Sequence, residues 1–221
     1  MRTAIGVMAR APSSAGKTRL APHLSRERLA ALRRALLADT LRAVERLPDV
    51  VIFFTPDEAE PEVASIAGPA IRRVVQSGGD LGDRMLAALR HLLDADGYEA
   101  ALLVGSDIPL LGVDHLIGAI ETLQESDGVV LGPADDGGYY LIGMKQAHSA
   151  LFEGIAWGSD SVLTDTLRAA ERIGVEARLV RSAYDVDTLD DLRRLERDLT
   201  SAASDVCPGV RRWLRENQAN G

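Results

Sequence analysis

Short apolar runs alternate with longer amphipathic segments along nearly the whole chain, and this alternation restricts the fold more than any other feature. Residues 3–9, 50–54, 71–75, 100–104, 128–131, 139–144 and 175–180 read as strands. Between them, 25–47, 81–93, 113–124, 160–173 and 189–199 carry leucine and alanine at three- and four-residue spacing, the stripe of a helix laid on a sheet. That order predicts an α/β protein of three layers, a mainly parallel sheet with helices on both faces. In the first helix Ser25 suits the N-cap, Pro48 the stop, and the arginines the solvent face. Residues 56–70 read as a turn and a polar segment. No linker rich in Pro or Gly divides the 221 residues, which read as one domain with its core over 3–199 and a last helix over 208–217.

A formal charge of −8 argues against nucleic acid or anionic lipid as a partner, so an anionic substrate must be drawn by a local basic cluster or a metal. The single Cys207 rules out an internal disulfide and fits a reducing compartment. No apolar run approaches the roughly 20 residues of a membrane helix. Arg10 cuts the apolar start too early for a secretion signal, so a cytoplasmic protein is expected, with no membrane partner and with self-association open.

Two aspartates close strand-like runs: Asp107 after 100–104 and Asp187 after 175–180. A carboxylate just past a parallel strand sits at the rim where open α/β sheets bind ligands, and two such groups can hold a hard cation, Mg²⁺ or Mn²⁺. Asp187 has a rival role as a cap of the helix over 189–199, and Asp185 is a nearby substitute. After the first strand comes a loop with Arg10, Gly16, Lys17 and Arg19, whose charges and amides suit phosphates. The run 11–18 nearly matches a P-loop, but Pro22 would break the helix which that motif sends out of its Gly-Lys-Thr. An ordinary turn with exposed basic side chains is the third reading.

The segment Gln76-Ser77-Gly78-Gly79-Asp80 could wrap a base, or could be only a strand-to-helix turn. Asp136-Gly137 suits a two-residue type I′ hairpin turn, while Asp136 and Tyr139 could instead face an acceptor. Trp157, in a polar loop, could be an acceptor platform or a partly buried ring. The four histidines show no metal spacing, and Cys207 has no partner that would make it a nucleophile.

Six blocks in order carry a family resemblance: Met8–Pro12 leading to Gly16–Pro22, Gln76–Met85, Gly105–Pro109, Gly132–Gly143, Trp157–Ser159 and Asp185–Thr188. Over roughly residues 3–195 the chain resembles the DUF2064 family of GT-A-type transferases, often labelled as glycosyltransferases linked to arsenosugar biosynthesis. More distantly it is similar to 2-phospholactate and molybdenum cofactor guanylyltransferases. The resemblance implies a Rossmann-like nucleotide-diphospho-sugar transferase fold. It also implies a metal-dependent transferase that takes a nucleotide or nucleotide sugar and a small acceptor. Asp107, Lys17 and Asp136 would be catalytic, and Asp107 and Asp187 would hold the metal. Arg10, Gly16, Lys17, Arg19, Gln76, Gly79 and Asp80 would bind the nucleotide, and Tyr139 and Trp157 the acceptor. Because the label is shared by the nearest family, glycosyl transfer is favoured. Nucleotidyl transfer to a phosphorylated acceptor is the alternative, then a P-loop NTPase or a binding module without turnover.

Overall fold

The structure, a computed structural model, describes residues 1–47 and 49–218; Pro48, expected to stop the first helix, lies outside them. Seven strands form one sheet in the order β3-β2-β1-β4-β6-β5-β7. They are β1 Thr3–Arg10, β2 Val50–Thr55, β3 Arg72–Val75, β4 Ala100–Gly105, β5 Val129–Pro133, β6 Tyr139–Met144 and β7 Ala177–Leu179. All pairings are parallel except those of β6, which runs against both β4 and β5.

Seven α-helices are described: α1 Arg26–Val44, α2 Glu60–Ala67, α3 Leu81–Arg90, α4 Val113–Glu125, α5 Val162–Arg172, α6 Leu189–Ser201 and α7 Pro208–Gln218. Strand side chains alternate between the faces, and each face builds its own core. One face packs Ile5, Val7, Ile52, Leu102 and Val104 against α1 and α4. The other packs Val51, Phe53, Leu103, Leu131 and Ile142 against α3 and α5. These are the three layers the alternation predicts.

Several expectations need correction. The segment 56–70 contains α2, whose Val63 is fully buried against the first core, so one apolar anchor suffices where the stripe is too short to read. The chain between Pro133 and Tyr139 is not a two-residue type I′ turn. Ala134 N–H donates to the Gly138 carbonyl at 3.0 Å, three residues lie between them, and Gly137 rather than Asp136 takes positive φ. The last helix, α7, packs into a third core. Trp213 of α7 is buried with Leu32 and Leu36 of α1 and Leu195 of α6, and Asp39 caps the start of α7 through the Gly209 and Val210 amides at 2.9 Å each.

Candidate active site

Because β6 alone is reversed, the carboxyl ends of the six parallel strands and the amino end of β6 share one rim. Every candidate residue lies on or near that rim. The first half of it is built by β1, β2 and β3. There the loop after β1 does not run into a helix. Leu20 and Ala21 donate back to the Lys17 carbonyl in tight turns, and α1 starts only at Arg26, behind its cap Ser25. No helical amides stand at Gly16-Lys17-Thr18, so the loop is not a P-loop.

The loop is braced from below by Arg33. This guanidinium donates to the carbonyls of Pro12 at 2.9 Å and of Ser14, with a longer contact to Arg10 at 3.4 Å. Arg33 is 9% exposed and sits on the inner face of α1 among Leu29, Leu32 and Leu36, not on the solvent face expected of the arginines. An arginine interrupting a leucine stripe was the available signal. Arg10 is exposed and donates to the Ala15 carbonyl at 3.1 Å, Gly16 packs against the Arg33 guanidinium, and Arg19 is exposed.

Lys17 is drawn inward. Its ammonium lies 2.9 Å from Asp107 and 2.6 Å from Asp187, and the side chain is only 7% exposed. Burial alone would lower its pKa, but the two carboxylates prevail and raise it. Burial likewise works to raise Asp107, and Lys17 overrides it and holds the carboxyl below its usual range. Asp187 is not the helix cap: Thr188 caps α6 in a box with Asp191.

Asp185 completes the cluster, with one oxygen from each of Asp107, Asp185 and Asp187 within 4.8 Å of the others. Burial first, then the charges of Asp107, Asp187 and Asp136, push Asp185 up to about 7. One ammonium against these carboxylates leaves an excess of negative charge, and all the donors are hard oxygens. That set fits a divalent cation of the Mg²⁺ or Mn²⁺ kind.

Gln76, Gly79 and Asp80 are occupied by the fold. The Gln76 amide donates to the carbonyls of Phe53 at 2.8 Å and Ala9 at 3.1 Å, tying together the ends of β1, β2 and β3. Asp80 caps α3 by accepting from Asp83 N–H at 2.8 Å, and the Gly79 amide donates to the Asp83 carboxylate at 3.2 Å.

On the other side of the acids a cleft of about 240 Å³ is lined by Asp107, Asp136, Asp185, Tyr139 and Trp157, among others. It thus gathers the residues expected at an acceptor. Asp136 accepts from Gly138 N–H at 2.9 Å. The Tyr139 hydroxyl points away into the core toward Thr166 without a well-formed hydrogen bond, and burial raises its pKa. Only the ring of Tyr139 is available to the cleft. Trp157 stands edge-on to Tyr139, lies nearly parallel to Phe152, and rests on α3 at Gly82. A Cβ on Gly82 would come within 2.6 Å of the indole. That socket was not legible in the sequence.

Comparison with known proteins fits this geometry. The family described as "Uncharacterized protein conserved in bacteria (DUF2064)" matches residues 36–159. The phosphoenolpyruvate guanylyltransferase of Roseiflexus sp. is 31% identical over 180 residues, 80% of this chain and 77% of that protein. The 2-phospho-L-lactate guanylyltransferase of Methanothermobacter thermautotrophicus is 30% identical over 182 residues, 80% of this chain and 76% of that one. Among solved structures, a protein of Desulfovibrio desulfuricans G20 assigned to the nucleotide-diphospho-sugar transferases superimposes with TM-score 0.89 and 32% identity, over 98% of this chain and 95% of its own. A 4-diphosphocytidyl-2C-methyl-D-erythritol synthase of Anaerococcus prevotii shares the fold at TM-score 0.60 and 16% identity, over 90% of this chain and 96% of that one. The chain belongs to the DUF2064 family, and it is a transferase that handles nucleotides.

Proposed function

We propose that this chain is a metal-dependent nucleotidyltransferase that joins the nucleoside monophosphate part of a triphosphate to a small acceptor. The observation that carries the reading is the meeting of Lys17, borne by the basic loop after β1, with the carboxylates of Asp107, Asp185 and Asp187. A triphosphate spreads several charges over its length, and a basic loop next to a cation site meets that pattern. The curated relatives support it, since those at about 30% identity are guanylyltransferases.

Asp107, Asp185 and Asp187 would hold the cation, which when bound neutralises charge on the phosphates. Lys17 and the exposed Arg10 and Arg19 would take the phosphate oxygens, leaving catalysis mostly to positioning and electrostatics. Asp136 faces the acceptor side. With its carboxylate beside Asp185 in the cleft, it would orient an incoming group rather than bind phosphate. Gln76, Gly79 and Asp80 would shape the base site through the backbone they hold in place.

Glycosyl transfer, favoured by the family label, keeps one observation in its support: the aromatic wall of Tyr139 and Trp157, a surface that suits a sugar ring. One experiment separates the two. Ligands that bind the folded state raise the melting temperature. Nucleoside triphosphates with Mg²⁺ should do so strongly, nucleotide sugars weakly. Pyrophosphate should then appear on addition of phosphorylated acceptors such as phosphoenolpyruvate, 2-phospho-L-lactate or aryl phosphates. Stabilisation by nucleotide sugars alone would reverse the choice.

A further inference from the structure

The cleft beside the acids is lopsided in its chemistry. Among the described residues lining it there is no Lys, Arg or His. Apart from the neutral indole N–H of Trp157, its polar side chains accept rather than donate. Asp107, Asp136 and Asp185 present carboxylates. Ser161 donates its hydroxyl proton to Asp165 at 2.7 Å, so Ser159, 3.0 Å from the Ser161 Oγ, is the donor in that pair and turns only lone pairs to the cleft. The Tyr140 hydroxyl donates to the Arg181 carbonyl at 2.9 Å, and that of Tyr139 is buried away from the cleft. The remaining wall is apolar: Leu81, Met85, Val162 and the two rings. Trp157 is fixed there by Phe152, Tyr139 and the Gly82 socket.

We infer that the acceptor is a molecule with a single anionic head and a planar or apolar body, the head held at the three acids through their cation and the body laid against Trp157. This rests on the nucleotidyl-transfer reading. A second anionic group on the acceptor, such as the carboxylate of a phosphorylated three-carbon acid, would meet carboxylates, lone pairs and at most one neutral indole N–H among these side chains, with no cationic side chain to offset its desolvation. A cleft of about 240 Å³ is small for a ligand site and suits one ring rather than several. In the transfer, an ionised oxygen of the head attacks the α-phosphorus. A new P–O bond forms as the bond to the bridging oxygen breaks, and pyrophosphate leaves with that electron pair. The nucleophile is already ionised, so no proton has to be removed.

The test compares phenyl phosphate with phosphoenolpyruvate and 2-phospho-L-lactate, reading pyrophosphate release with each of the common ribonucleoside triphosphates and Mg²⁺. Direct binding is read separately through the fluorescence of Trp157, with Trp157→Phe showing which signal belongs to Trp213. The expected result is a kcat/KM for phenyl phosphate about tenfold above those of the three-carbon acids, with quenching by phenyl phosphate only. Trp157→Ala should raise the phenyl phosphate KM about five- to tenfold with the nucleotide KM unchanged, and Trp157→Phe should restore most of it. Equal or better use of phosphoenolpyruvate or 2-phospho-L-lactate would overturn the acceptor class while leaving nucleotidyl transfer in place. An unchanged phenyl phosphate KM in a folded Trp157→Ala protein would overturn it as well. If no triphosphate yields pyrophosphate with any acceptor, nucleotidyl transfer fails; quenching by phenyl phosphate alone would then still support the acceptor class, and its absence would reject it.

Discussion

The two halves of the rim solve opposite problems. The half built on β1, β2 and β3 is cationic, and its backbone is held by polar side chains: Arg33 beneath the loop 10–16, Gln76 across the strand ends, Asp80 and Asp83 in the turn before α3. The half built on β5, β6 and the exit from β7 is acidic and aromatic, and it is shaped by missing side chains. Gly82 makes room for Trp157, and Gly137 lets the hairpin loop lie against the residues before α5. The halves touch where Lys17 crosses to Asp107 and Asp187. In the proposed reaction a phosphate chain needs fixed donors and an acceptor needs a shaped surface, and each half would supply one of these.

The largest effect should come from breaking the seam between them. Asp107→Asn should cut turnover on the order of a hundredfold, measured as pyrophosphate release, while circular dichroism stays unchanged. Triphosphate binding, measured without turnover, should weaken far less, and an equal loss of both would limit Asp107 to binding the nucleotide. Next comes the acceptor half alone. Gly137 has φ of 89° and a Cβ there would lie 2.1 Å from the Asp160 carbonyl, so Gly137→Ala should cost about 2 kcal/mol or more in urea unfolding. At temperatures where it stays folded, the nucleotide-induced rise in melting temperature should persist; its disappearance would mean the halves are not separable.

The nucleotide half is probed by Arg33→Lys. A lysine cannot reach the carbonyls of Pro12 and Ser14 with a fork of donors, so the nucleotide KM should rise about tenfold with the acceptor KM unchanged. An unaltered nucleotide KM would show that the loop needs no brace. The smallest change is expected from Gln76→Leu. It removes donors from the Ala9 and Phe53 carbonyls and should cost about 1 kcal/mol of stability. A loss of base discrimination without loss of stability would instead make Gln76 a direct reader of the base.

How much of this was legible in the sequence follows from the range of each interaction. The strands and most helices write their burial into short apolar periods, and the seven strand segments emerge with shifts of a residue or two at their ends. Lys17, Asp107 and Asp187 stand out as charges in a glycine loop or just past a strand, although a plain turn and a helix cap are local rivals that the sequence alone leaves open. What stayed hidden depends on contacts distant in the chain. Gly82 meets Trp157, and Gly137 meets Asp160, only after folding. Arg33 reads as a helix-surface arginine until the loop it supports is in place. For Gln76 and Asp80 the residue types suited both a ligand and a turn, and their hydrogen bonds go to the turn and the strand ends.

The reversal of β6 has a consequence for how little chain the acceptor side requires. In a sheet whose strands all ran one way, Tyr139 would begin its strand at the far edge, a full strand length from Asp107. Turning one strand around lets a single connection, Ala134 to Gly138, serve as the exit of β5 and the doorway of β6 at once. Asp136 and Tyr139 therefore reach the cleft beside Asp107 and Asp185 without a crossover helix between them, and in the proposed reaction a change in the length of that one connection would be the shortest route to a different acceptor.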